Sequence, residues 1–90
     1  MYYVYILECS DKKLYVGYTS NVERRLAEHN SGNSSTYTGL RKPVKLLFTE
    51  KYPNEMKARK RELQLKGWSR KKKLALIKGD VKLLQYLSRI

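Results

Sequence analysis

Tyr3-Val4-Tyr5-Ile6-Leu7 and Leu14-Tyr15-Val16-Gly17 decide the fold of this chain. Each belongs to a longer run, residues 2–8 and 13–19, in which tyrosine alternates with aliphatic side chains, and Asp11-Lys12 lies between the runs as a turn. The pair predicts a β-hairpin. Period two puts Tyr3, Tyr5 and Leu7 on one face of the first strand, with Val4 and Ile6 on the other. In the second strand it groups Tyr15 with Gly17, opposite Leu14, Val16 and Tyr18.

Working outward, Ser20-Asn21-Val22-Glu23 reads as a capping box that starts a helix running to about Asn30, with Gly32 fit to end it. Residues 31–43 are rich in Ser, Asn, Thr and Gly and read as a flexible loop closing on Pro43. Residues 44–52 predict a third strand. Pro53 and Asn54 open a second helix that continues to about Lys66 and stops at Gly67. Ser69 caps a third helix, whose first turn is Arg70-Lys71-Lys72-Lys73 and which Gly79 ends. Asp80 then caps a short helical extension over residues 80–90, through Leu83, Leu84 and Leu87. The order ββαβααα suits a small antiparallel sheet with helices on its faces, an α+β domain. Ninety residues are expected to form one domain, because a chain of this size buries only about two-thirds of its unfolded surface and two cores would each be too small.

Composition narrows the function. Twenty Lys and Arg against eight Asp and Glu give a net charge of +12. Such a surplus destabilises the compact state through self-repulsion and usually serves a polyanionic partner, nucleic acid above all. The alternatives are a solvated basic surface or an anionic membrane surface, although the basic helices lack the wide, aromatic-anchored apolar face that the latter needs. The single cysteine, Cys9, excludes an intramolecular disulfide, and one Cys with one His cannot complete a four-ligand zinc site. The longest apolar stretches, such as Leu74 to Ile77, are too short to span a membrane or form a secretory core, so a cytoplasmic location is expected.

Three positions stand out for their chemistry. Arg25 and His29 are four apart and share a helical face, beside the stripe made by Val22 and Leu26. Arginine offers a planar fork matched to phosphate oxygens and stays charged at any working pH. The same spacing also allows Arg25 to pair with Glu28, and His29 to bond a backbone carbonyl. Glu62 lies four after Ala58 and three before Leu65, on or beside an apolar stripe, where a carboxylate needs a partner or a metal. Arg59 and Lys66 are its candidate ion-pair partners on the same helix. Eight of the ten aromatics are tyrosines, and for Tyr2, Tyr3, Tyr52 and Tyr86 packing with a wet hydroxyl end is the simpler reading.

Tyr3-Val4-Tyr5, then Tyr15-Val16-Gly17 ten residues on, then Arg25, His29 and a distant helical Glu62, together resemble the GIY-YIG nuclease superfamily. The resemblance covers about residues 2–78. It is nearest to small single-domain bacterial members grouped as uncharacterised, through segments such as Glu28-His29-Asn30-Ser31-Gly32 and Leu74-Ala75-Leu76-Ile77-Lys78-Gly79, and extends to the N-terminal domain of a DNA-repair excinuclease. It implies a three-stranded antiparallel sheet flanked by helices and a metal-dependent endonuclease that hydrolyses DNA phosphodiesters, with a place in DNA repair or recombination.

By the same resemblance Tyr5 and Tyr15 match the motif tyrosines, one of them a general base or attacking hydroxyl. Arg25 matches the arginine that steadies the phosphate, and His29 an assisting histidine. Glu62 matches the carboxylate that binds one Mg²⁺ or Mn²⁺, and Gly17 permits close approach near the site. A phenol of pKa about 10 is a poor base at neutral pH. Arg25, a metal and the positive field are each expected to lower it.

Arg41, Lys42, Lys57, Arg59, Arg61, Arg70, Lys71, Lys72 and Lys73 are the expected nucleic-acid contacts, with DNA favoured over RNA and affinity falling steeply with salt. The competing reading is a non-catalytic nucleic-acid-binding module on the same fold. A protein partner is a further option, since Leu83, Leu84 and Leu87 could close the core or pair outside it.

Overall fold

A computed structural model describes residues 1–31 and 41–89. Three strands form one antiparallel sheet: β1 (Tyr2–Glu8), β2 (Leu14–Thr19) and β3 (Lys45–Tyr52), in the order β2-β1-β3. The helices are α1 (Val22–Ser31), α2 (Glu55–Lys66), α3 (Arg70–Lys78) and α4 (Val81–Leu87). The architecture is the α+β arrangement that the sequence predicts. The helix end assigned to Gly32 and most of the loop assigned to residues 31–43 lie outside the described residues.

The hairpin closes through Cys9 and Lys12. The Cys9 amide donates to the Lys13 carbonyl at 2.8 Å and the Lys12 amide to the Cys9 carbonyl at 2.9 Å. Lys12 takes a positive φ of 71°, and Asp11 Oδ1 accepts from the Lys13 amide. Alternation then separates two cores. Val4, Ile6 and Val16 face Ala58 and Leu65 of α2, with Trp68, Leu76 and Ile77 packed alongside. On the other sheet face Tyr5, Leu7, Cys9 and Val44 cluster with Tyr15, Leu46 and Leu26 of α1. An irregularity in the β1–β3 register pairs Ile6 with Phe48 but Leu7 with Leu46. The extra residue, Leu47, switches the parity of β3. Phe48 therefore joins the α2 side and Leu46 the α1 side.

The caps follow the sequence with one correction. Asn54, Ser69 and Asp80 each accept from the amide three residues on, at Lys57, Lys72 and Leu83. For α1 the cap is Asn21 rather than Ser20: its Oδ1 accepts from the Arg24 amide at 3.0 Å. The strand end decides this, because Thr19 Oγ1 already holds the Asn21 amide at 3.1 Å and fixes the chain one residue later than the capping box implies. Leu83, Leu84 and Leu87 are half-buried in α4, which packs on α3, while Val81 and Tyr86 are exposed.

Candidate active site

Tyr5 sits on the central strand, directly opposite Gly17 on β2. Its ring passes close to that glycine. A Cβ at position 17 would come within 2.6 Å of Tyr5 Cζ and would also collide with its hydroxyl oxygen, so only glycine leaves the ring this path. Tyr15, two residues earlier on the same face, and His29 of α1 complete a group of three rings. Centroid separations are 6.4 Å for Tyr5–Tyr15, 5.9 Å for Tyr5–His29 and 5.0 Å for Tyr15–His29, the last two edge-on.

Tyr5 and His29 are 2 % and 0 % exposed, and Tyr5 Oη lies 2.9 Å from His29 Nε2. Burial pushes the Tyr5 phenol up from 10.0 to about 12, and the hydrogen bond and charge of the neighbouring Arg25 guanidinium only partly offset it. This reverses the expectation of a lowered phenol: desolvation of the phenolate outweighs the nearby cation. Burial, and then the charge of Arg25, hold the His29 imidazole below its usual 6.5. Both groups are therefore neutral near pH 7. Arg25 can only donate, whereas the direction of the Tyr5–His29 bond follows the imidazole tautomer: with the ring proton on Nδ1 the Tyr5 hydroxyl donates to Nε2.

Arg25 is half-buried, and its Nη1 bonds Glu28 Oε1 at 3.2 Å, the pairing that the three-residue spacing allows. Its Nε is buried with no hydrogen-bond partner among the described residues. The hydrogen bond to Tyr5 raises the Arg25 pKa against the opposing effect of burial, with Glu28 adding to the rise. Behind this group, Asn30 binds the Val44 backbone twice: its Oδ1 accepts from the Val44 amide at 2.7 Å, and its Nδ2 donates to the Val44 carbonyl at 3.3 Å. The side chain imitates a strand partner and ties the end of α1 to the start of β3. No local pattern marks it, because its partner lies fourteen residues away.

Glu62 lies on the inner row of α2 with Ala58 and Leu65 and is 8 % exposed. Lys66 Nζ stands 3.6 Å from its Oε2. Its negative charge contributes to the upward shift of the Tyr5 phenol, which places it within electrostatic reach of that hydroxyl. Among the described residues no group of three or more His, Cys, Asp or Glu converges that could hold a metal ion. The donor set offers one buried carboxylate, which suits a hard divalent ion only if phosphate oxygens and water supply the other ligands.

The basic residues singled out from sequence lie outside the ring cluster and differ in how far they are engaged. Lys42, Lys57, Arg59 and Lys71 are exposed. Arg41 pairs with Asp11 at 2.9 Å, and Arg70 donates to the Lys12 carbonyl at 2.6 Å. Arg61 is held by Glu50 at 2.9 Å. Lys72 stands 4.1 Å from the centre of the Trp68 ring, with Arg61 at 5.1 Å, and burial lowers the Lys73 pKa. Trp68 as a platform for two cations was not legible from spacing.

Comparison with known proteins places these features. Residues 1–75 match the family model described as the GIY-YIG catalytic domain. A UPF0213 protein of Syntrophus aciditrophicus is 56 % identical over 79 residues, covering 87 % of this chain and 91 % of that one. One from Natronomonas pharaonis is 49 % identical over 79 residues, covering 88 % and 93 %. The solution NMR structure of a UPF0213 protein from Bacillus halodurans superposes with a TM-score of 0.56 at 43 % identity, over 87 % of this chain and 84 % of that chain.

Proposed function

The chain belongs to the GIY-YIG catalytic-domain family, and from that premise we propose that it is a metal-dependent endonuclease hydrolysing phosphodiester bonds of DNA. The family is nuclease-type and points to a nucleic-acid substrate. The observation that carries the finer reading is the buried bond from Tyr5 Oη to His29 Nε2, beside a guanidinium with donors to spare.

In this mechanism the scissile phosphate takes the Arg25 fork, sharing or displacing Glu28. The attacking water passes a proton to Tyr5 Oη while Tyr5 passes its own to His29 Nε2. With the ring proton on Nδ1 the imidazole is the acceptor, and no free phenolate of pKa about 12 has to accumulate. Arg25 stays charged throughout and faces the oxyanions of the pentavalent phosphorus. Tyr15, half-buried at the open side of the cluster, orients the water or the His29 ring. GIY-YIG nucleases generally use a divalent metal; Glu62 would hold Mg²⁺ or Mn²⁺, which would supply positive charge to the phosphate.

The test is cleavage of supercoiled plasmid and of branched and single-stranded oligonucleotides with Mg²⁺ or Mn²⁺. Wild type is expected to cut, and Tyr5→Phe and Glu62→Ala to lose about 10²-fold or more. Salt-sensitive binding without any cutting would transfer the reading to a nucleic-acid clamp. Cutting that survives in both variants would remove this site from the chemistry.

A further inference from the structure

On the sheet face opposite the Tyr5–His29 bond, Tyr52, Lys57, Lys60, Arg61 and Gln64 line a shallow cavity of about 330 Å³. Its floor is a locked arginine. Arg61 Nε and Nη2 bond the two oxygens of Glu50 at 2.9 and 3.3 Å, and Nη1 bonds Gln64 Oε1 at 2.8 Å. The Tyr52 hydroxyl donates to the same Glu50 at 2.9 Å, and Trp68 lies under the guanidinium at 5.1 Å. A guanidinium has five N–H donors. Three are used here, which leaves one on each terminal nitrogen without a partner among the described residues. Glu50 is then satisfied, and neither Lys57 nor Lys60 has an ion-pair partner among the described residues.

We propose that this cavity is a second phosphate-binding subsite, which seats one backbone phosphate of a nucleic-acid strand on the fixed Arg61 fork between the Lys57 and Lys60 ammoniums. Three cations stand against one carboxylate, a surplus that an anion neutralises. The arginine is held before the ligand arrives, so little side-chain freedom is lost on binding. The lysines are free to close on it. The cavity lies beside β3, with Lys57, Arg61 and Gln64 on the β3 side of α2, whereas Glu55 meets Tyr18 of β2 at 3.4 Å on the other. A strand held here meets the β3 side of α2, apart from the ring cluster. The proposal rests on the nucleic-acid reading above but not on turnover.

Two measurements test it, on wild type and on Lys57→Gln/Lys60→Gln, whose positions are outside the ring cluster. Backbone amide shifts are followed by NMR on titration with a short single-stranded DNA and separately with inorganic phosphate, and DNA affinity is measured against salt. The expected result is saturable shifts of Tyr52 and residues 57–64 with DNA, abolished in the double variant whose other resonances stay in place. The salt slope falls by about two. Absent shifts at these residues, or an unchanged slope in the double variant, would overturn the subsite. Shifts with inorganic phosphate but not with DNA would overturn its assignment to a strand. If wild type cuts no nucleic acid yet these shifts and the slope change appear, the nuclease reading fails and the subsite stands.

Discussion

Tyr5 of the central strand and His29 of α1 are joined by a 2.9 Å hydrogen bond closed off from solvent, with neither group ionised. The bond tethers sheet to helix and, in the proposed mechanism, starts the proton path. Its energetics give it a pH signature. As pH falls through about 6.5, the unfolded imidazole takes up a proton that the folded one resists, so stability declines and levels off below the folded value. As pH rises past 10, the unfolded phenol ionises first, so stability declines again and levels off above about 12. Urea midpoints across this range check both limbs. Tyr5→Phe should flatten much of the alkaline limb, leaving the parts due to Tyr52 and Cys9, raised chiefly by burial, and to Tyr2, raised chiefly by its hydrogen bond with Glu55. An alkaline limb identical in the variant would mean that Tyr5 is not held up.

Gly17→Ala tests the path of the Tyr5 ring. The new methyl overlaps Tyr5 Cζ and its hydroxyl, and the ring must swing away from His29 or the strands must part. We expect a stability loss of about 1–3 kcal/mol from overpacking. Cleavage should fall by about 10²-fold, as misplacement by roughly 1 Å can cost that much. Circular dichroism should still report the native strand and helix content. Full activity with a native melting curve would show that the ring has another way through.

Asn30→Ala removes both bonds to Val44, one of whose groups is the amide of a buried residue. The expected cost is about 1–2 kcal/mol, seen as a drop in Tm of roughly 5–15 °C. Because α1 carries both Arg25 and His29, kcat should fall as well, even well below Tm. Asn30→Asp keeps the acceptor for the Val44 amide but loses the donor, and should lie between the two. A variant with lowered Tm and unchanged kcat would make Asn30 a fold residue only.

The legible part of this architecture was the part that period and caps encode. Alternation alone separated Val4 and Ile6 from Tyr5 and Leu7, and the three- and four-residue spacing put Glu62 beside Ala58 and Leu65. What stayed hidden depends on distance in space. Asn21 takes the cap from Ser20 because Thr19 intervenes, and Asn30 finds Val44 across the fold. The sequence shows the charge of Arg25, which does lower the Tyr5 pKa, but not the depth of burial that outweighs it. For Arg61 the sequence offers a cation; only the structure reveals that Glu50 and Gln64 already claim most of its donors.

The strand order β2-β1-β3 leaves β1 with no free edge, and Tyr5 is paired to Gly17 on one side and Thr49 on the other. Local fraying at loops or helix ends cannot release it. Its amide should exchange with deuterium only when the whole molecule opens, among the slowest in the chain. The backbone that carries the phenol is thus as persistent as the native state itself.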